Sequence, residues 1–478
     1  MRDLKKVIII QAGKNMCDGF AKKFLYTNIT CPSIAAAIPD NIEIEIIDMY
    51  VQKINYESIN ADLAMVTTLT TFAPIAYEVA RELKKRGITV IVGGVHAVVM
   101  PDECQQHFDA LAIGEAELLI DEIFDDFRNE NLKKRYETKE QLDLTKCKIP
   151  RYDLLQLHNY SFNALMASKG CAFDCDFCSS RLVTGAGFRH KSIEQVINEI
   201  RFLQNLHEKD PLVPETFFFA DSNLFTDRVF LKELLNALIP IGIKHWGLFA
   251  SVNIANDDEI LELLQKANCE IVQIGFESIN PASLKNSNKK QNNPVKYKEV
   301  VGKLASKGIY AYGSFIFGFD DDDGGVFEET IKAIEEADCI MTGFFTLTPF
   351  PGTKVYERLD EEGRLLHKDW SRYDMEEVVY QPRLLTAEQM KKGMQYVKNR
   401  SADPERLVKC LEKFNAASGK KSGLKISEKI ALIIAYLFMS ARFKPETRYF
   451  IRKIISKGNL VAYYHAAHLI SSIQNSRL

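Results

Sequence analysis

Two alternating patterns run along the chain. Between residue 5 and about residue 128, short runs rich in Val and Ile (Val7 to Ile10, Ile42 to Ile47, Leu63 to Thr67, Thr89 to Val92 and Ala110 to Ile113) read as strands. Between them lie stretches whose apolar positions recur at helical spacing, as in Ala73 to Arg86, closed by Gly87, and Glu115 to Arg128. This rhythm predicts an α/β fold with a parallel, doubly wound sheet over residues 1–140. Residues 141–160 are polar, contain Pro150 and lack a clear period, so they read as a linker. A second series follows, with strands near Phe162 to Ala167, Thr216 to Ala220, Gly247 to Val252, Glu270 to Gly275, Ile309 to Gly318 and Gly343 to Leu347. Six strands separated by five helical stretches fit a partial (β/α)6 barrel over residues 161–385 better than an open sheet. After residue 385 the strand signals stop, and residues 386–478 read as a helical C-terminal region.

Charge changes this picture little. Lys+Arg 61 against Asp+Glu 64 gives a net charge of -3, so no global field attracts nucleic acid, and no nucleic-acid partner is expected. The first apolar run is too short for a secretory signal, and Ile430 to Ala441, the nearest approach to a membrane span, is too short to cross a bilayer. A cytoplasmic protein is therefore expected. In that reducing compartment ten cysteines suggest metal binding or catalysis wherever they cluster.

Three of them do. Cys171, Cys175 and Cys178 stand at C-x3-C-x2-C directly after the first strand of the second series. So tight a loop can direct three sulfurs at one centre, and three thiolates on a four-iron cluster leave one iron open to a substrate or cofactor. Structural zinc is the competing reading, but it normally takes a fourth ligand from a second nearby pair, and His190 has no matching partner.

The spacing, with Phe177 before the last cysteine, resembles the signature loop of the radical S-adenosylmethionine (SAM) superfamily. That resemblance implies a [4Fe-4S] cluster on Cys171, Cys175 and Cys178, with SAM chelated at the open iron. One electron, from a donor such as flavodoxin or ferredoxin, would cleave SAM to methionine and a 5′-deoxyadenosyl radical. It also implies a partial barrel, with ligand contacts at the carboxyl ends of the strands. There Asp221 or Ser222 would meet the amino group or ribose of SAM, unless they simply cap a helix. Gly275-Phe276-Glu277-Ser278 resembles the family's ribose or carboxylate contact, an N-cap again being the alternative. The strand Gly313 to Gly318, with Ile316, resembles the one that passes adenine; a strand glycine equally marks a bulge. The acidic run Asp320 to Asp323 reads as a solvated turn.

Ahead of the barrel, the fingerprint G-x-G-x-x-G is absent after the first strand, where Gln11-Ala12-Gly13-Lys14 stands, so a nicotinamide site is not expected. Thr67, Thr68 and Thr70 follow the third strand, Gly93 and Gly94 the fourth, Gly114 and Glu115 the fifth. Hydroxyls and glycines on one edge can meet a large planar cofactor without crowding it. The arrangement resembles the Rossmann-like cobalamin-binding domain of cobalamin-dependent radical SAM enzymes, although no His lies in a D-x-H-x-x-G motif. His96 is read as a contact to the cofactor tail or to solvent, not as a cobalt ligand. Leu347 to Thr353, with Trp370 and Tyr373, resembles the closing segment of a subgroup that includes hopanoid methylases and the anaerobic magnesium-protoporphyrin ester cyclase; the aromatics line the substrate chamber or pack the barrel end. The apolar and basic helices after residue 430 either cap the fold or make a peripheral membrane contact.

The resemblance implies a C-methyltransferase that acts on an unactivated carbon of a small-molecule or lipid substrate, through a 5′-deoxyadenosyl radical and methylcobalamin. A non-methylating radical cyclase, oxidase or coupling enzyme is the first alternative, and a non-catalytic iron-sulfur or zinc protein the second.

Overall fold

The computed structural model describes residues 2–15, 25–185 and 187–419. It divides into two compact units: one takes Met1–Ala172, Asp176–Glu215 and Pro349–Val379, the other Phe173–Cys175, Thr216–Thr348 and the chain from Tyr380 onward.

In the first unit β1 (Lys6–Gln11), β2 (Glu43–Asp48), β3 (Leu63–Thr67), β4 (Thr89–Gly93), β5 (Ala110–Ile113) and β6 (Arg135–Glu137) form one sheet in the order β2-β1-β3-β4-β5-β6. Every pair is parallel, with Ile10 opposite both Ile47 and Val66. Such a sheet is covered on both faces, which is why its strands are near-continuous apolar runs. Helix Ala73–Lys84 packs Ala76, Val79, Ala80 and Leu83 into one core with Ile8, Ile10, Val66 and Val90. The sixth strand was not legible in the sequence: of its three residues only Tyr136 is buried, so no apolar run marks it. The expected helix from Glu115 starts at Ile120, because Gly114 turns the chain at φ 108° into a short 3₁₀ turn, Ala116–Leu118.

The stretch 141–160 is fastened down by two tyrosines. Tyr152 is fully buried, its hydroxyl 2.8 Å from Glu199 Oε1 and 3.0 Å from the Ala164 carbonyl, while Lys191 Nζ donates to the other Glu199 oxygen at 2.6 Å. Tyr160 donates to Asp48 at 2.7 Å. Beyond it come β7 (Asn163–Leu165) and an antiparallel hairpin, β8 (Ser168–Lys169) with β9 (Arg189–His190), whose two strands flank the cysteine loop.

The second unit contains β10 (Phe217–Phe219), β11 (Trp246–Ala250), β12 (Cys269–Glu277), β13 (Tyr310–Phe317) and β14 (Met341–Thr346), parallel and in the order β14-β13-β12-β11-β10. With β7 these are the six strands expected of the second series. Helices Ala387–Ser401 and Pro404–Ala417 follow. The apolar stretch Ile430 to Ala441 and the basic residues after it lie outside the described residues. Among the described residues no helix is long and apolar enough to cross a membrane.

The acidic run after β13 corrects an expectation. Asp322 is fully buried, not solvated: it accepts from the backbone N–H of Gly318 (2.9 Å) and Phe319 (3.0 Å) and from the Ser283 hydroxyl (2.7 Å). Spacing showed four acids in a turn; only the fold shows that one of them turns inward to satisfy the end of β13. Burial pushes the Asp322 carboxyl up to about 6, although its three hydrogen bonds pull it down. Asp322→Ala is expected to cost roughly 2–4 kcal/mol, because it leaves two buried N–H groups without an acceptor. A raised carboxyl contributes stability that is complete below the unfolded value near 4 and is lost as pH rises through about 6. The stability difference between wild type and Asp322→Asn, read by urea unfolding, should therefore shift toward wild type as pH falls from 7 to 5.

Candidate functional site

The loop that carries Cys171, Cys175 and Cys178 is short, and all three thiols are half-buried, as is Phe177. Of the other described cysteines only Cys147 shares that exposure; Cys31, Cys104, Cys269, Cys339 and Cys410 are buried. In the first unit the loop peptide at Asp176 is held by the start of helix Lys354–Glu361, where Val355 N–H donates to the Asp176 carbonyl at 3.2 Å and Lys354 Nζ lies 3.3 Å from Asp176 Oδ1. Thr353 caps that helix through Tyr356 N–H, and Gly352, at φ 79°, packs against Val99 and Leu182. The Pro351-Gly352-Thr353 stretch thus anchors the cysteine loop, a role that spacing alone did not reveal. In the second unit Asn288 Nδ2 donates to the Asp174 carbonyl at 2.6 Å.

Glu115 braces the same hairpin. Its carboxylate accepts from Lys169 Nζ (2.8 Å), from both terminal nitrogens of Arg189 (3.0 and 3.2 Å) and from the Leu142 backbone N–H. Burial alone would raise its carboxyl, but the Arg189 and Lys169 hydrogen bonds outweigh that and hold it below the ordinary value. Its oxygens are thus engaged within the protein, next to the residue that precedes Gly170 and Cys171.

The second unit gathers polar groups at its strand ends. Asp221, after β10, is fully buried and Ser222 is exposed. The helix that follows, Arg228–Leu238, is capped by Asp227, so neither residue serves as that cap. The end of β12 is unusual. Its register slips between Gly275 and Glu277, and Ser278 N–H bonds back to the Phe276 carbonyl at 2.8 Å, closing a γ-turn about Glu277, whose φ of 63° is strained for a non-glycine residue. Asn292 and Tyr297 hold the strained turn: Asn292 Nδ2 lies 2.8 Å from the Gly275 and Phe276 carbonyls, and the Tyr297 hydroxyl 2.7 Å from Phe276 O. Strain so fixed turns the Glu277 carboxylate toward Lys289 Nζ at 2.8 Å. A Cβ on Gly275 would collide with that carboxylate and sit 3.2 Å from Lys289 Nζ, so glycine leaves the room that the carboxylate fills. Ser278 accepts from Asn280 N–H, and Asn280 itself is the N-cap of the next helix. Gly313 is explained by a close neighbour, since a Cβ there would lie 2.8 Å from the Phe276 ring. Ile316 is the one half-buried position of β13. Lys289, Asn292 and Tyr297 were missed by sequence reading because the first two come from a polar loop without periodicity and Tyr297 opens the helix after it.

At the carboxyl edge of the first sheet, strand order reverses between β1 and β3, the switch point where doubly wound folds hold ligands. The loop after β3 divides its side chains. Thr68 and Thr70 are buried, Thr68 Oγ1 donating to the Leu69 carbonyl, while Thr67 is half-buried and Leu69 is 46% exposed. Gly94, at φ 88°, lets this loop approach: a Cβ there would lie 2.6 Å from Thr67 Oγ1. Gly114 is exposed, Gly93 half-buried, and Leu118 is 39% exposed. His96 departs from its expected place. It is fully buried, with Nε2 2.8 Å from the Tyr77 hydroxyl and Nδ1 3.4 Å from Thr70 Oγ1, and its N–H bonds the Thr68 carbonyl. Tyr77 donates to Glu103, which also accepts from Trp370 Nε1 at 2.9 Å. Burial lowers the His96 imidazole to about 4, so it is neutral at physiological pH. The helix Val95–Val99 turns it inward, beneath the loop and away from solvent. Trp370 and Tyr373 are buried in the same unit.

The donor chemistry fits three cofactors. Three half-buried thiols on one loop match in number and kind the ligands of an open four-iron cluster, although among the described residues no three metal-ligating side chains converge on one point. The Glu277 carboxylate and the Lys289 ammonium at the end of β12 match in charge the two ends of a zwitterionic amino acid. Leu69 after β3 and Leu118 after β5, both exposed, offer apolar contacts to a planar macrocycle. A doubly wound domain followed by a partial barrel with such a loop defines a radical SAM enzyme that carries a cobalamin-binding domain. The sequence matches the Radical SAM superfamily over residues 165–334 and the B12 binding domain over residues 23–124. It is 32% identical over 334 residues to bacteriochlorophyllide d C-12(1)-methyltransferase of Chlorobaculum tepidum (69% of this chain, 72% of that one), and 30% identical over 359 residues to the C-8(2)-methyltransferase of the same organism (71% and 78%). Among solved structures, the cobalamin-dependent SAM radical enzyme OxsB, with aqua-cobalamin and SAM bound, aligns with a TM-score of 0.67 at 13% identity, over 99% of this chain and 79% of that one. The chain belongs to the cobalamin-dependent radical SAM family; it is an enzyme whose cofactors are a [4Fe-4S] cluster, SAM and cobalamin, and methyl transfer is the activity its relatives support.

Proposed function

We propose that this enzyme transfers a methyl group to an unactivated carbon of a small organic molecule, with Cys171, Cys175 and Cys178 as the cluster ligands. The observation that carries the reading is the joining, in one chain, of the three-cysteine loop to a doubly wound domain with an open, partly apolar carboxyl edge. When bound, the cofactors supply a hydrogen-abstracting radical and a transferable methyl group; the protein's own residues position and shield. Glu277 and Lys289 present opposite charges beside Gly275 and are suited to the amino and carboxylate ends or the ribose of SAM, with Asp221, Ser222 and Ser278 as further polar contacts and Ile316 as an apolar one. Phe177 shields the cluster loop. Thr67, Leu69, Gly93, Gly94 and Gly114 face the cobalamin, and Thr68 and Thr70 keep the loop in shape from within. A one-electron carrier such as flavodoxin or ferredoxin supplies the electron.

The test is anaerobic incubation of the reconstituted enzyme with SAM, cobalamin, reductant and candidate small molecules. Formation of both 5′-deoxyadenosine and S-adenosylhomocysteine, together with a product heavier by one methylene, is the expected result. Deoxyadenosine with a converted substrate and no S-adenosylhomocysteine would replace methylation with a cyclase or oxidase reaction.

A further inference from the structure

The segment between Asn280 and Lys298, which runs from the helix Pro281–Asn286 to the start of the next, contains five lysines, Lys285, Lys289, Lys290, Lys296 and Lys298, and no acidic residue, in a chain whose net charge is -3. Lys289 is used internally, against Glu277. Lys285, Lys290 and Lys296 are exposed, and Val295, directly before Lys296, is 89% exposed. Of the acids that touch this segment, Glu277 is paired with Lys289, Asp321 accepts from Asn286 at 2.8 Å and Asp322 from Ser283, and the exposed Asp174 is held through its carbonyl by Asn288. The ammonium groups of Lys285, Lys290 and Lys296 stand at the surface.

This loop also touches the peptide of the cysteine loop. Asn288 N–H bonds the Lys285 carbonyl at 3.2 Å, and Asn288 Nδ2 donates to the carbonyl of Asp174, the residue directly before Cys175. A protein seated on Lys285 and Lys290 would rest two hydrogen bonds from the backbone between two of the proposed cluster ligands.

From these observations, and resting on the reading of Cys171, Cys175 and Cys178 as cluster ligands, we infer that the exposed face of residues 285–296 is the docking surface for the electron donor, a one-electron carrier protein with an acidic face around its redox centre. Lys285, Lys290 and Lys296 supply long-range attraction and orientation, and Val295 supplies a desolvated contact at the centre of the patch. Asn288 links the docked surface to the cluster loop.

The experiment compares the full-length reconstituted wild type with the Lys285→Glu/Lys290→Glu/Lys296→Glu variant, each driven either by reduced flavodoxin, as an acidic one-electron carrier, or by dithionite. 5′-Deoxyadenosine formation is followed over a range of carrier concentrations and of added KCl. Expected is a loss on the order of tenfold in carrier-driven rate at limiting flavodoxin, recovered at high carrier concentration, with a wild-type rate that falls as salt rises and a dithionite-driven rate that does not change between the two proteins. Equal carrier-driven rates in both proteins would overturn the assignment. A parallel loss with dithionite would also overturn it, placing the lysines in cofactor or substrate binding. A wild type that forms no deoxyadenosine with dithionite, despite an intact cluster, would count against the radical reading itself and not against the docking face alone.

Discussion

Replacing Cys171, Cys175 or Cys178 by alanine is expected to abolish formation of 5′-deoxyadenosine, down to the background of cluster-free protein. An open four-iron cluster has only three protein ligands, so the loss of one leaves two irons without a thiolate and a cube that does not hold together under turnover conditions. The variants should take up less iron and sulfide on anaerobic reconstitution and lose the broad visible absorbance of the cluster. Cys147→Ser is the internal control: its exposure matches that of the three, it lies outside the loop, and burial raises its thiol above the ordinary value. It should reconstitute and cleave SAM as wild type does. Retention of cleavage by any one loop variant would remove that cysteine from the ligand set.

Glu115→Ala is expected to have the second largest effect, on stability and on cluster loading together. Lys169 and Arg189 are 15% and 19% exposed in their side chains, so both cations keep some water when the carboxylate is lost. The cost should fall toward the lower end of the roughly 3–5 kcal/mol typical of an uncompensated buried ion pair. Because Lys169 stands two residues before Cys171, the hairpin β8/β9 should loosen around the loop, and iron content after reconstitution should fall even where the protein remains folded. Glu115→Gln separates charge from hydrogen bonding. A carboxyl held below its ordinary value contributes stability that is complete above the unfolded value, near pH 4.3 for a glutamate, and is lost as pH falls through the folded value. The melting-temperature gap between wild type and Glu115→Gln should be constant above about pH 5 and narrow below about pH 4. A gap independent of pH down to 3 would show that the ion pairs with Lys169 and Arg189 do not stabilise the hairpin.

Local chemistry determined much of this protein. Apart from Arg135–Glu137, the strands of both sheets were legible because parallel strands buried on both faces must be continuous apolar runs, and the cysteine loop stood out because three thiols at such close spacing have few other uses. Where one side chain in an irregular segment does the work, the sequence was silent. Strand Arg135–Glu137, Lys289 opposite Glu277, the Thr353-capped helix that holds Asp176, and the inward turns of Asp322 and His96 have no periodicity, because each depends on a partner far away along the chain. Four acids in a turn look alike until backbone N–H groups at the end of β13 select one of them. A histidine beside two glycines looks exposed until Tyr77 and Thr70 close over it. Sequence alone thus determined the two folding patterns and singled out the three-cysteine loop; tertiary structure decided which polar side chains are consumed in holding the loops, since burial and hydrogen-bond satisfaction are properties of the packed chain.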